Sequence, residues 1–219
     1  MVIESAASPL PALRTSRVYL REHRLSDLEA MRAIWADPQV TRYMTCGVMT
    51  DESIRATLRQ AVAEAGARRR GGYRLAACLA GDDTVVATVR LDVENASTGF
   101  VSGFAASPNA RGTGWATESL WLVLKLAFDH LDLLRCWAWV HNDNLSAQRT
   151  FELFGVTFTG ERDWYLPGHG YTARGRTVEM TAAAWRALPA DPTPRRLIAH
   201  RRRRSTAQLQ RDLSETATF

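Results

Sequence analysis

Apolar residues alternate and then recur at helical spacing in the first third of the chain. Arg17 to Arg21 alternates like a strand. Ser26 to Glu29 has the spacing of a capping box, which predicts a helix through about Trp35. Thr50 to Glu52 puts acidic residues at a second helix start, and Gly66 closes that helix. The pattern therefore predicts a strand followed by two helices.

The middle of the chain has the pattern of strands. Tyr73 to Leu79 and Thr84 to Asp92 are rich in residues that favour strands, and Gly81-Asp82-Asp83 between them predicts a hairpin. Gly99 to Ala105 is a third strand-like run. This part is predicted to be a meander.

Helices and strands then alternate. The sequence predicts a helix from about Trp115 to His130, a strand from Cys136 to Val140 and a helix from Leu145 to Phe154. Residues 156–180 contain short strand-like pieces around a Pro167-Gly168 turn. The order of elements predicts an α/β fold, a single domain with a mixed central sheet flanked by helices.

One turn carries the strongest chemical signal. Asn109 to Glu118 follows a predicted strand and runs directly into the long helix. Gly112 and Gly114 allow the backbone to turn tightly with exposed amides, and the helix start adds unpaired amides and a positive dipole end. Together these features predict a binding site for a phosphate or a pyrophosphate.

Two common nucleotide motifs do not fit this turn. The chain has no GxxxxGK followed by Ser or Thr, which a nucleoside triphosphate loop requires. A dinucleotide fingerprint needs a third glycine, and Thr117 stands there; the turn also follows a meander instead of opening a series of βαβ units.

Arg111 to Glu118 resembles the R-G-x-G-Y/W-A-T-E run of the GNAT N-acetyltransferases, in the ribosomal-protein-alanine and antibiotic-type (RimJ/RimL-like) branch. Asn144, eleven residues before Gly155, is similar to the Asn that opens the family's next helix. Phe158 to Arg162 looks like the strand that follows. The resemblance covers about residues 16–188.

The resemblance implies that acetyl-coenzyme A is the co-substrate. Backbone amides of the turn would bind its pyrophosphate, helped by the hydroxyl of Thr117. The backbone of Phe104, Ala105 and Ala106 would pair with the pantetheine arm, which the Asn144 side chain would also hold. The implied pyrophosphate-binding residues are Arg111, Gly112, Thr113, Gly114, Trp115, Ala116 and Thr117.

The family's reaction is direct attack of an amine on the thioester, and the catalytic residues are less well matched than the turn. Ala147 stands where the family has a Ser facing the thiolate, so Ser146 or Tyr165 is the candidate proton donor. Asp163, or a water molecule, is the candidate base. An alternative is a domain that binds acetyl-coenzyme A without catalysis, as a sensor or assembly partner.

The resemblance also places Trp35, Tyr43 and Met44 beside the acceptor, a primary amine on a small molecule or a protein N-terminus, although core packing explains these three residues nearly as well. His169 is predicted to lie on a surface loop, with acceptor binding or a base role as the alternative. A homodimer is compatible with the family.

Composition adds limits on the partners and location. The three cysteines have no metal-ligand spacing, so no metal site is predicted, and no apolar run is long enough to span a membrane. A cytoplasmic location follows. Most of the net charge of +5 lies in an Arg-rich extension at 189–219. This extension and residues 1–15 are predicted to be poorly ordered. Without interleaved aromatic residues, nucleic-acid or ribosome targeting by the extension is only an alternative.

Overall fold

A computed structural model describes residues 10–67, 70–190, 193, 196–199 and 203 of the 219-residue chain. The strands are β1 (Leu13–Arg14), β2 (Val18–Glu22), β3 (Gly72–Leu79), β4 (Val85–Asn95), β5 (Thr98–Ala106), β6 (Arg135–His141), β7 (Thr157–Leu166) and β8 (Tyr171–Thr181). The helices are α1 (Leu28–Trp35), α2 (Pro38–Thr41), α3 (Asp51–Ala65), α4 (Trp115–Lys125), α5 (Leu145–Leu153) and α6 (Ala182–Arg186).

The described strands form one mixed sheet of eight, in the order β1-β2-β3-β4-β5-β6-β8-β7. Neighbouring strands are antiparallel except β5 and β6, which are parallel and are connected through α4. The predicted α/β fold with a mixed sheet in a single domain is confirmed.

The parallel pair separates soon after it begins. β5 and β6 pair only from Thr98 opposite Arg135 to Phe100 opposite Trp137. Beyond that point β6 pairs with β8 alone, so the edge of β5 from Val101 to Ala106 has no strand partner on this side. A gap therefore opens in the middle of the sheet.

The helices cover opposite faces of the sheet. Leu75 and Ala77 of β3 pack into the main core, which includes most of α4. Ala76 and Cys78, which alternate with them, belong to a second cluster with Ala30 of α1. Every residue of α4 from Thr117 to Leu124 is buried, so this helix is the centre of the larger core.

The Asp27 carboxylate stabilises the chain at the start of α1. Both Nη atoms of Arg21 donate to it at 2.8 Å, and the Arg24 amide donates at 2.9 Å. The expected N-cap at Ser26 is therefore wrong by one residue, because residues 25–27 form a 3-10 turn and Asp27 is the N-cap of α1. The other predicted helix start is confirmed, with Thr50 capping α3 and Gly66 ending it.

Three further element predictions need correction. Residues 156–180 form two long strands of a hairpin instead of short pieces. The helix from Trp115 becomes a π-helical turn from Leu126 to His130. Residues 13–14 form β1 with Leu13 fully buried, so order begins before residue 16. The rest of the predicted flexible N-terminal segment, residues 1–9, lies outside the described residues.

Part of the C-terminal extension packs on the domain. Residues 196–199 are helical, and the Leu197 side chain is buried in the main core. Most of the Arg-rich run lies outside the described residues. No helix in the described part of the chain is long and apolar enough to cross a bilayer.

Candidate functional site

The glycine turn lies between β5 and α4 and has exposed backbone. Gly112 and Gly114 have φ values of +73° and +84°, a region that favours glycine. A Cβ on Gly112 would meet no atom within 4 Å, so the space in front of the turn is open. Gly114 is the N-cap of α4 and provides no side-chain cap. Unpaired amides at the positive end of a long buried helix suit an anionic ligand.

An ion pair between the exposed Arg17 and the buried Glu118 fastens this turn to the first strands. The Glu118 carboxylate, 1% exposed, accepts hydrogen bonds from Arg17 and from the Thr15 hydroxyl. Arg17 Nη1 also donates to the Thr113 carbonyl at 3.1 Å. The Thr113 hydroxyl donates to the Ala110 carbonyl at 2.8 Å and accepts from the Trp115 amide at 3.1 Å, which closes the turn.

The other donor-site candidates lie around the turn and along the gap. Arg111 is exposed and donates to Gln39 of α2 at 3.0 Å, and Thr117 is buried. Trp115 and Ala116 are half-buried at the start of α4. Phe104, Ala105 and Ala106 follow the open edge of β5, directly before the turn. The structure thus brings the turn and this edge together.

Asn144 caps a helix, as one interpretation of the sequence allowed. Its Oδ1 atom accepts from the Ala147 amide at 3.1 Å and begins α5. The side-chain nitrogen of Asn144 has no partner among the described residues and remains available as a donor. Capping and ligand binding are therefore compatible at this residue.

The three catalytic candidates are exposed. Ser146 lies in the first turn of α5, next to Ala147. Asp163 and Tyr165 lie on β7, and Arg174 Nη1 donates to Asp163 Oδ1 at 3.2 Å across the hairpin. None of the three lines either of the two cavities described below.

A cavity of about 220 Å³ lies between the helices α1 and α3 and the strands β3 to β5. Its floor reaches Ser102 and Gly103, where β5 carries a bulge opposite Arg90. This is where the gap between β5 and β6 begins. Trp35 and Met44 line the cavity, whereas Tyr43 packs against His141 with ring centroids 4.8 Å apart.

Sequence reasoning missed several polar residues of this cavity, above all Arg74, Thr88, Arg90 and Ser102. For the cavity residues of β4, the sequence does contain a pattern that could have identified them. Thr88 and Arg90 alternate with apolar Ala87, Val89 and Leu91, so they share the face opposite the main core. Finding them as a group requires the pairing of the strands.

The loop that follows α2 is fastened to the turn between β7 and β8. The Gly168 amide donates to the Thr45 carbonyl at 2.8 Å. His169 Nε2 lies 3.3 Å from the Thr41 carbonyl and 3.1 Å from the Met44 carbonyl, so this nitrogen carries the proton. We call residues 42–49 and 167–170 the loop–turn contact. It forms one side of the cavity, and His169 supports that side.

The cysteines are free thiols. Burial raises the pKa of Cys78 and of Cys136 to about 12, although Arg21 partly opposes the shift at Cys78. Burial also raises the pKa of Cys46, which lines the cavity. None of these thiols is ionised to a useful extent near neutral pH.

Comparison with known proteins gives the class. The acetyltransferase (GNAT) domain family matches residues 17–157, more than half of the chain. The uncharacterized N-acetyltransferase p20 of Bacillus licheniformis is 26% identical over 136 residues, which cover 62% of this chain and 76% of that protein.

Solved structures agree on the fold. A GCN5-related N-acetyltransferase from Brucella melitensis has a TM-score of 0.72 at 16% identity, covering 89% of this chain and 96% of that one. The spermidine N-acetyltransferase of Vibrio cholerae, in complex with CoA and spermine, has a TM-score of 0.65 at 16% identity, covering 78% and 99%. This chain therefore shares the fold of these acetyltransferases. The chain belongs to the GNAT acetyltransferase family.

Proposed function

We propose that the protein transfers an acetyl group from acetyl-coenzyme A to a primary amine. One observation carries the proposal. The open edge of β5 leads to the glycine turn at one end and borders the cavity at Ser102 and Gly103. A thioester held along this edge would meet an amine held in the cavity. Proximity of two bound reactants accounts for a large part of such a rate enhancement.

The donor-binding roles are part of the proposal. Amides from Arg111 to Ala116 bind the pyrophosphate; those of Gly112, Gly114 and Ala116 have no partner among the described residues, and those of Arg111, Thr113 and Trp115 would exchange their present acceptors for it. Phe104 to Ala106 pair with the pantetheine arm as an added strand would. Asn144 donates to that arm through its free nitrogen, and Thr117 contributes its hydroxyl after a small movement, because it is buried here. The CoA bound to the Vibrio cholerae enzyme supports coenzyme A as the carrier.

In the proposed reaction a neutral amine attacks the thioester carbonyl. A C–N bond forms, the C–S bond breaks and the thiolate leaves as coenzyme A. The amine loses a proton to Asp163 or to water, and the thiolate gains one from Ser146 or Tyr165. Backbone amides at the β5 bulge stabilise the charge on the carbonyl oxygen.

The branch and the location belong to the same proposal. The Arg111 to Glu118 motif favours the RimJ/RimL-like branch, and the three free cysteines are in keeping with a reducing cytoplasm. A homodimer fits the family.

The first test combines an acceptor screen with a matched pair of variants, Gly112→Asp and Gly170→Asp. Both glycines have φ of +73°, and both have open space where a Cβ would be. Asp tolerates this backbone region better than most residues, but at Gly112 it adds a negative charge facing the pyrophosphate. We expect calorimetry to show about 100-fold weaker coenzyme A binding for Gly112→Asp, equivalent to about 3 kcal/mol.

Gly170→Asp is expected to bind coenzyme A like the unmodified protein, and equal affinities for the two variants would contradict the assigned donor site. The screen measures thiol release with a range of amines. Acetyl-coenzyme A binding without release on any amine would favour the sensor alternative, which Ala147 at the usual Ser position motivates. Unchanged kcat/KM in Ser146→Ala, Asp163→Asn and Tyr165→Phe would exclude these residues from catalysis.

A further inference from the structure

We propose that the acceptor amine carries a carboxylate, and that Arg74 and Arg90 bind this carboxylate inside the cavity. The inference rests on the proposed function and names the class of acceptor, a small amino acid or short peptide with a free carboxylate. Four features of the cavity support it.

The first feature is a pair of like charges facing each other. Arg74 of β3 and Arg90 of β4 are direct cross-strand partners, and both residues line the cavity. Like charges at such positions destabilise a sheet unless opposite charges compensate them, and Glu64 and Asp92 do so at the Nε atom of each guanidinium group. An anion bound to the terminal nitrogens of both groups would add to that compensation.

The second feature is the free end of each guanidinium group. Arg74 donates to Glu64 at 2.7 Å and Arg90 donates to Asp92 at 2.9 Å, in both cases through Nε. The terminal nitrogens of both side chains have no hydrogen-bond partner among the described residues. These nitrogens form the flat fork that binds a carboxylate through both its oxygens.

The third feature is a set of buried polar atoms without partners. Trp35 Nε1, Thr88 Oγ1 and Ser102 Oγ are inaccessible to solvent and have no hydrogen-bond partner. All three residues line the same cavity. Buried polar groups are normally satisfied, and leaving one unsatisfied is costly. Each of these groups can donate a hydrogen bond, so a bound molecule rich in oxygen atoms would satisfy them once their side chains rotate toward it.

The fourth feature is the sign of the charge. The described residues that line the cavity include Arg74 and Arg90 but no Asp or Glu. Arg74 and Arg90 also line a neighbouring cavity of about 290 Å³, and there Glu64 and Asp92 accept hydrogen bonds from their Nε atoms. A polyamine in the main cavity would bring its second positive charge toward the guanidinium groups, which disfavours this class of acceptor.

The dimensions fit a small molecule. Arg90 pairs with Gly103 of β5, which borders the gap where the thioester would lie. Adjacent strands are about 4.8 Å apart, so the carboxylate and the amine would be separated by roughly one or two strand spacings. The amine would point to β5 and the carboxylate to β3 and β4.

The test compares each carboxylate with its own amide. The acceptors are 4-aminobutyrate, β-alanine and a dipeptide, each beside its amide, with spermidine as a polycation. We expect the unmodified protein to have a higher kcat/KM for the carboxylate of at least one pair. Arg74→Gln and Arg90→Gln should each lower that value by about tenfold to 100-fold, as expected for a charged hydrogen bond, and should affect the amide by less than about threefold.

Two variants serve as controls. Arg59→Gln removes an exposed arginine from α3, outside both cavities, and should change neither acceptor. Arg74→Lys retains the charge without the fork and should recover part of the preference. A partial recovery in Arg74→Lys would show that Arg74→Gln had lost binding and not folding. Thermal unfolding checks that every variant is folded.

The outcomes separate the inference from the function on which it rests. Equal or better turnover of amides or spermidine would overturn the inference and leave the acetyltransferase function intact. If no amine is acetylated, the proposed function fails, and calorimetry with coenzyme A present then tests the inference by itself. Tighter binding of the carboxylate than of its amide, lost in Arg74→Gln, would support it; equal binding would overturn it.

Discussion

Asp27 remains ionised in a buried position because several donors surround it. Burial alone would raise its pKa, but hydrogen bonds from Arg21, His23 and the Arg24 amide outweigh that effect and hold the pKa well below its usual range. Arg21 also reaches Asp83 in the β3–β4 turn, so the same guanidinium group connects α1 to the sheet. The charge at Asp27 therefore supports the wall of the cavity.

This arrangement predicts a loss of stability in acid. A carboxylate with a lowered folded-state pKa contributes stability above its unfolded pKa of about 4, and the contribution disappears as the pH falls through the folded value. We expect Asp27→Asn to lower the free energy of unfolding by about 3 kcal/mol at pH 7, since one member of a buried ion pair is lost. Urea unfolding measured from pH 7 to pH 2 checks this expectation.

The difference in free energy of unfolding between Asp27→Asn and the unmodified protein should become smaller below about pH 4. Glu52→Gln, an exposed change near the start of α3, is the control and should give no such convergence. A constant difference at every pH would show that Asp27 acts by packing and not by its charge.

Sequence reasoning works best at residues whose role depends on local backbone. Gly112 and Gly114 could be identified because a positive φ has few alternatives to glycine. Arg17 and Arg74 could not, because their roles depend on Glu118 and Arg90, which lie far along the chain. No short motif contains such pairings.

Among the secondary-structure elements, the β7–β8 hairpin shows why the sequence pattern was weak. Residues 157–163 of β7 are all exposed, so the strand lacks the alternation of buried and exposed side chains that reveals most strands. Only short pieces could be predicted there. α4 is the opposite case, since its long apolar run made the helix evident.

The loop–turn contact gives a prediction at the same scale. A Cβ on Gly168 would overlap the carbonyl of Cys46, and neither backbone can yield easily. We expect Gly168→Ala to push the turn away from the loop and to raise the acceptor KM about tenfold, the size of effect expected for losing about 1.4 kcal/mol of binding. Coenzyme A affinity should be unchanged, because the glycine turn lies elsewhere.

Steady-state kinetics and calorimetry test this prediction, with Gly81→Ala as the control. Gly81 lies in the β3–β4 turn with open space around its Cβ position, so this variant should behave like the unmodified protein. An unchanged acceptor KM in Gly168→Ala would mean that the contact does not shape the cavity.

At the scale of the whole molecule, part of the C-terminal extension belongs to the folded domain. Leu197 is fully buried in the main core, so part of the segment predicted to be disordered contributes to the domain. Truncation after Pro189 should lower the free energy of unfolding by about 2 kcal/mol, the usual contribution of a buried leucine. Truncation after Ala199 keeps Leu197 and should have little effect. Chemical unfolding of both proteins distinguishes the two expectations.

The same two truncated proteins also test whether the Arg-rich run binds nucleic acid. Both truncations remove Arg201 to Arg204, but only the one after Ala199 preserves the core. If the full-length protein binds RNA in a salt-dependent way and the protein truncated after Ala199 does not, the binding belongs to the extension. Equal stability of the two truncated proteins would show that Leu197 does not support the fold.

The order of elements allowed the α/β class to be predicted, but the divided sheet could not be. The separation of β5 from β6 depends on how two distant strands pair, and the cavity depends on two helices that cover one face of that sheet. The class of fold and the position of the glycine turn could therefore be predicted from the sequence, whereas the polar interior of the cavity required the assembled structure.

The loop–turn contact is held by backbone groups, and this leaves its side chains free to vary. Backbone groups of Thr41, Met44 and Thr45 make the bonds that fasten the loop. The side chains of Met44, Cys46 and Met49 line the cavity. Mutations of these side chains reshape the cavity while the fastening persists. If the cavity binds the acceptor as proposed, single substitutions here change the acceptor range without loosening the bonds that hold the loop.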